Sequence, residues 1–263
     1  MSQKGLLALA VLAFLASMSQ AEVKTRVVTY SYGGKTFKGY IAYDDARKDK
    51  RPGVLVVHEW WGLNDFARKK TEELAKLGYV AFAADMYGDG KTAKHPQDAG
   101  KFAGEVRKNV KEWQGRAKAA LKVLTDMENV DAKKLAAIGY CFGGSTALQL
   151  AYSGADLKVV ATFHAALPVP TEEQAKAIKA KLLINHGARD TFIPEKVITQ
   201  FREALDKAKV DYQMVYYAGA QHSFSVPDAD KAKVKGLSYN AKADKRSWQA
   251  MLALFKETFP SKK

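Results

Sequence analysis

Residues 135–151 restrict the fold of this chain more tightly than any other stretch. An apolar run, Leu135-Ala136-Ala137-Ile138, leads into Gly139-Tyr140-Cys141-Phe142-Gly143-Gly144, and a helix-forming run, Ser145-Thr146-Ala147-Leu148-Gln149-Leu150-Ala151, leads out. This order predicts a buried strand, a tight turn flanked by glycines, and a helix. Such a turn holds one residue in a strained backbone conformation, and glycines keep side chains away from it. The residue presented is Cys141, the only cysteine in the chain. Serine is commoner at the tip of such a nucleophile elbow. The backbone N–H of Phe142 lies at the helix N-terminus, where partial positive charge suits a developing oxyanion. The competing reading is a buried structural cysteine beside a glycine-rich turn, which is what most free cysteines are.

The rest of the chain supplies the same alternation of strand and helix. Residues 26–30 and 37–43 flank Gly33-Gly34 and predict an antiparallel hairpin. Residues 53–58 form a β-branched run suited to a buried strand. A helix follows from Asn64, capped by Asn64 or Asp65, with Phe66, Lys70, Leu74 and Leu77 on one side. Residues 79–84 predict another strand. Residues 88–101 are polar and glycine-containing, suggesting an irregular segment over a pocket, and two helical stretches then run to Met127. Further strands are expected over 159–163, 182–185 and 212–217. Pro194 opens a helix carrying Val197, Ile198, Phe201 and Leu205, and a last helix carries Trp248, Met251, Leu252 and Phe255. The alternation predicts an α/β fold: a mostly parallel sheet with helices on both faces, opening with an antiparallel strand. Active groups in such sheets gather at the C-terminal strand ends.

Composition narrows the setting. Lys4, an apolar run over residues 5–16 and Ser19-Gln20-Ala21 have the pattern of a cleavable signal peptide over residues 1–21. The apolar run is too short to span a bilayer, so no stable membrane insertion is expected after cleavage. This predicts a periplasmic or secreted mature chain, with residues 22–263 forming one domain. A single cysteine allows no internal disulfide, and an exported free thiol favours a chemical role. The formal net charge is +14, but the lysines are spread over many helices. Clusters such as Lys231, Lys233 and Lys235 are solvated faces rather than a nucleic-acid groove.

A thiol needs a base, and the base needs an orienting carboxylate. In sheet hydrolases built on such an elbow, the order is nucleophile, acid, histidine. His58 and His95 precede Cys141, while His164 and His186 follow it. Only His222 also follows a carboxylate placed at a strand end, Asp190. Each of Cys141, Asp190 and His222 falls just beyond a predicted strand. Singly, a loop aspartate reads as a cap and a loop histidine as surface decoration. Asp206, Asp211, Asp228 and Asp230 are poorer acids, lying in a helix, at a strand start or after His222.

The chain resembles the dienelactone hydrolase family of α/β-hydrolases. The matching segments are Gly139-Tyr140-Cys141-Phe142-Gly143-Gly144, His58-Glu59-Trp60-Trp61-Gly62, Ala84-Asp85-Met86-Tyr87-Gly88, the Gly187-Ala188-Arg189-Asp190 turn with Pro194, and Gln221-His222-Ser223-Phe224. The resemblance implies an α/β-hydrolase fold, with Cys141 as nucleophile, His222 as base and Asp190 as its acid. It implies that Glu59 contacts the resting thiol and governs its ionisation. It also implies that the backbone N–H groups of Trp60 and Phe142 form the oxyanion hole, and that Trp61, Tyr87 and Phe224 line the substrate pocket. The implied substrate is a small ester or lactone, with no cofactor. Members acting on dienelactone grip its carboxylate with two arginines, and the aligned positions here are Asp89 and Val226. That departure implies a different substrate, with Arg107 or Arg189 the available replacements. The alternatives are a general carboxylesterase or thioesterase, or a non-catalytic binding protein on the same fold. His58-Glu59 lacks the second histidine of a zinc helix, and Gly143-Gly144-Ser145 lacks the lysine of a phosphate loop.

Overall fold

Strand β1 (Val23–Tyr32) and strand β2 (Lys35–Asp44) pair antiparallel from Val23 opposite Asp44 to Tyr32 opposite Lys35. Gly33 and Gly34 join them with φ of 56° and 72°, a left-handed pair that glycine adopts without steric cost. The structure is a computed structural model describing residues 22–260, so the signal expected over residues 1–21 lies outside the described residues. The elements continue as β3 (Arg51–Val57), α1 (Asp65–Lys76), β4 (Val80–Ala84), α2 (Pro96–Arg107), α3 (Val110–Thr125), β5 (Val130–Tyr140) and α4 (Phe142–Tyr152). Then come β6 (Val159–Phe163), α5 (Glu172–Lys176), β7 (Lys181–Gly187), α6 (Glu195–Lys207), β8 (Tyr212–Tyr217) and α7 (Ala241–Thr258).

The eight strands form one sheet in the order β1-β2-β4-β3-β5-β6-β7-β8. From β4 to β8 every pairing is parallel. Strand β2 runs antiparallel to both β1 and β4, so it alone opposes the rest of the sheet, as the antiparallel opening expected from the sequence requires. Strand β3 shows why the central strands are apolar throughout. Leu55 and Val57 enter one buried cluster with Phe82, Leu148 and Phe201. Val54 and Val56 enter the other, with Tyr140, Met251 and Phe255. Successive side chains point to opposite faces, so a strand covered on both sides needs apolar residues at both parities. Each such side chain contributes about 1.5–3 kcal/mol by leaving water.

Two helix readings change in detail. Asn64 caps α1 through Oδ1, which accepts from the Ala67 N–H at 3.3 Å, but the buried face is Ala67, Thr71, Leu74 and Ala75. Leu77 caps the C-terminus and is 52 % exposed, because the helix stops before that position turns inward. The segment 88–101 is irregular only at first. Pro96 starts α2, since proline suits the first helical turn.

Candidate active site

The elbow forms as its glycines require. Cys141 lies between β5 and α4 with φ 50° and ψ −114°, a conformation that costs a non-glycine residue about 1–3 kcal/mol. Packing around it leaves no alternative. A Cβ on Gly139 would sit 2.1 Å from Gly143 O, and one on Gly143 would sit 2.2 Å from Val57 O. The Cys141 N–H donates to Phe163 O at 2.9 Å, tying the turn to the end of β6. Phe142 opens α4, so its own N–H has no intrahelical acceptor. The Trp60 N–H, beyond the end of β3, is likewise without a backbone acceptor among the described residues.

The structure brings all three expected side chains together from the ends of three strands. His222 Nε2 lies 3.2 Å from Cys141 Sγ. His222 Nδ1 donates to Asp190 Oδ2 at 2.7 Å, and Asp190 Oδ1 accepts from the Phe192 N–H at 3.0 Å. The His222 loop is braced by its own neighbours: its N–H donates to Gly236 O, and the Ser238 N–H donates to its carbonyl. Burial pushes the imidazole toward its neutral form. The charge on Cys141 and the hydrogen bond to Asp190 outweigh this and raise His222 to about 10.

Glu59 is placed differently from the expectation. Its carboxyl is buried, but Oε1 accepts from Ser223 Oγ at 2.8 Å, and no hydrogen bond joins it to Cys141, whose thiol pairs with His222. Burial raises the Glu59 carboxyl, while the Ser223 bond and the charge of His222 pull it back. The other residues of its motif are structural. His58 is fully buried; Nδ1 donates to Glu59 O and Nε2 accepts from the Met86 N–H. Asp85 organises the following loop, its carboxylate accepting from the N–H groups of Lys38, Tyr87, Gly88 and Gly90.

A cavity of about 270 Å³ opens on Cys141 and His222, walled by Trp60, Arg107, Ala166, Phe192, Ile193, Val234 and Leu237. The three expected pocket residues lie elsewhere. Trp61 lines a neighbouring cavity with Glu59, Ser223 and Val226. Tyr87 is buried and donates its hydroxyl to Trp60 O at 2.8 Å, which makes it a support for the wall rather than the wall. Phe224 is fully buried, packed edge-on to His164 at 5.2 Å. Of the two replacement arginines, Arg107 reaches the cavity, its guanidinium 5.4 Å from the centre of the Phe142 ring. Arg189 and Asp89 are exposed, and Val226 is buried. Val234 and Leu237 went unrecognised in the sequence because they sit among lysines, where no hydrophobic period marks them. Among the described residues no helix is long and apolar enough to cross a membrane.

A profile described as the Dienelactone hydrolase family matches residues 37–259, from β2 through α7. Among solved structures, m3DLH is 40 % identical, with a TM-score of 0.88 over 90 % of this chain and 99 % of its own. A dienelactone hydrolase-like promiscuous phosphotriesterase from metagenomic libraries is 38 % identical, with a TM-score of 0.87 over 90 % of this chain and 98 % of its own. Protein usf of Aquifex pyrophilus is 28 % identical over 236 residues, 88 % of this chain and 98 % of that one.

Proposed function

The chain belongs to the dienelactone hydrolase family, and from that premise we propose that it hydrolyses small carboxylic esters or lactones through Cys141, His222 and Asp190, by way of a thioester. The observation that carries this reading is the continuous pair of contacts from Sγ to Nε2 at 3.2 Å and from Nδ1 to Oδ2 at 2.7 Å. His222 holds the proton taken from the thiol as an imidazolium that the charges of Cys141 and Asp190 stabilise, and Asp190 keeps Nε2 facing Sγ. The thiolate attacks the carbonyl carbon. The N–H groups of Trp60 and Phe142, with the N-terminus of α4, stabilise the oxyanion, each donor contributing on the order of 3 kcal/mol. His222 returns its proton to the departing oxygen. Water, deprotonated by His222, then attacks the thioester and releases the acid and the Cys141 thiolate. The cavity of about 270 Å³ and its apolar walls suit a small acyl group.

The test is turnover of p-nitrophenyl acetate by the wild type, Cys141→Ala and Cys141→Ser. Alanine is expected to abolish turnover, and serine to leave a weak residue of it. Undiminished turnover in the alanine variant would refute the assignment. The reading includes export, with cleavage after Ala21; N-terminal sequencing of the protein recovered from outside the cytoplasm checks it. A mature chain still beginning at Met1 counts against it.

A further inference from the structure

A second buried chain of polar side chains lies beside the first. Ser223 follows His222 directly and has φ 56°, and His164 at the end of β6 has φ 44°. Neither is glycine, so each position costs energy that its side chain must offset. Both side chains converge on one carboxyl. Ser223 Oγ donates to Glu59 Oε1 at 2.8 Å. His164 Nε2 meets Ser225 Oγ at 2.8 Å, which leaves Nδ1 buried, without a hydrogen-bond partner and 3.9 Å from Glu59 Oε1. When Ser225 donates to Nε2, the proton of neutral His164 lies on Nδ1 and faces the carboxylate. Two hydrogen-bonded pairs, Ser225 with His164 and Ser223 with Glu59, thus face each other across 3.9 Å. Ser223 adjoins His222 in the chain, and the His164 and His222 rings lie 5.3 Å apart.

We propose that Ser223 and His164 are positioning residues that hold Glu59 as an anion, hydrogen-bonded to Ser223 rather than to the thiol, so that its charge joins that of Asp190 in keeping the imidazole protonated. The inference rests on the reading of Cys141 and His222 as the reactive pair. The groups around His222 have consistent signs. Cys141 and Asp190 favour the imidazolium, and so does Glu59. His164 and His186 would oppose it only if charged, and burial holds both toward neutrality. Arg107 shares the cavity and opposes it weakly from an exposed position. Burial alone would drive Glu59 to its neutral acid, so its charge depends on donors. Ser223 is the one in hydrogen-bonding range.

The experiment follows the His222 imidazole by NMR across the alkaline range in the wild type, Ser223→Ala, Ser223→Gly, His164→Phe and Glu59→Gln. Each variant is expected to lower the His222 midpoint, Glu59→Gln by roughly 1 pH unit. Ser223→Gly relieves the left-handed backbone, so a downward shift in it as well as in Ser223→Ala assigns the effect to the hydroxyl. The double variant Ser223→Ala/Glu59→Gln is expected to shift no further than Glu59→Gln, because Ser223 acts through Glu59. If Ser223→Ala does not fold, Glu59→Gln and His164→Phe carry the same comparison. Unmoved midpoints in the folded variants overturn the inference while leaving the hydrolytic reading intact. Retained turnover in Cys141→Ala would instead remove the reading on which it rests.

Discussion

Gly143→Ala tests the link between backbone packing and chemistry with a single methyl group. The added Cβ would lie 2.2 Å from Val57 O, 2.5 Å from His58 O and 2.6 Å from Val57 C. Favourable carbon contacts need about 3.5 Å, so α4 and the end of β3 must separate by roughly 1 Å. These are backbone atoms of a central strand, and no side-chain rotation relieves them. Overpacking of this kind costs about 1–3 kcal/mol, which for a chain of this size lowers Tm by about 2–12 °C. The same separation pulls the Phe142 N–H away from the Trp60 N–H, and a 1 Å misplacement can cost about 100-fold in rate. Gly100→Ala is the matched control. It lies in α2 with nothing within 4 Å of its added Cβ, and is expected to stabilise by up to about 1 kcal/mol. Differential scanning calorimetry and p-nitrophenyl acetate kinetics on both variants read the comparison. A Gly143→Ala protein with wild-type Tm and wild-type kcat would refute the claim that this close approach builds the site.

Two further predictions concern charge. Asp190→Asn removes one of the groups that raise His222 to about 10, so the imidazole midpoint measured by NMR should move down, and kcat should fall about 10⁴-fold as the ring loses the partner that orients it; an unmoved midpoint with kcat within tenfold of wild type would contradict the assignment. Arg107→Ala removes the arginine from the cavity wall, so kcat/KM for an ester carrying a free carboxylate should fall roughly 3–10-fold. A neutral ester of the same shape should change little, and equal losses on both would show that Arg107 supports packing rather than recognition.

The parts of the fold legible in the sequence were those where one physical requirement dictates residue type over several positions. Strand β3 must be apolar at both parities because helices cover both faces, and residues 53–58 show that directly. Gly33-Gly34 announced its hairpin because two successive left-handed residues exclude most alternatives. The choice of β4 rather than β3 as the neighbour of β2 was hidden, since β2 is partly exposed and its partner is set by chain topology rather than by its own composition. Leu77 misled for a related reason: helical spacing continued on paper beyond the residue at which the helix ended.

The site divides along the same line. Cys141, Asp190 and His222 were found because each follows a strand, and parallel strands deliver their C-terminal ends to one edge. Position along the chain therefore substituted for position in space. Side-chain direction carries no such signal. Tyr87 and Phe224 belong to motifs that flank the site, yet the Tyr87 hydroxyl turns to Trp60 O and Phe224 packs beneath His164. Glu59 is the sharper case, because the resemblance supplied its motif but not its partner. A buried carboxyl takes whichever donor lies in range, and here the residue after His222 is a serine whose left-handed backbone brings its hydroxyl to that carboxyl. With Glu59 held on Ser223, the hydrogen bond to the thiol is left to His222.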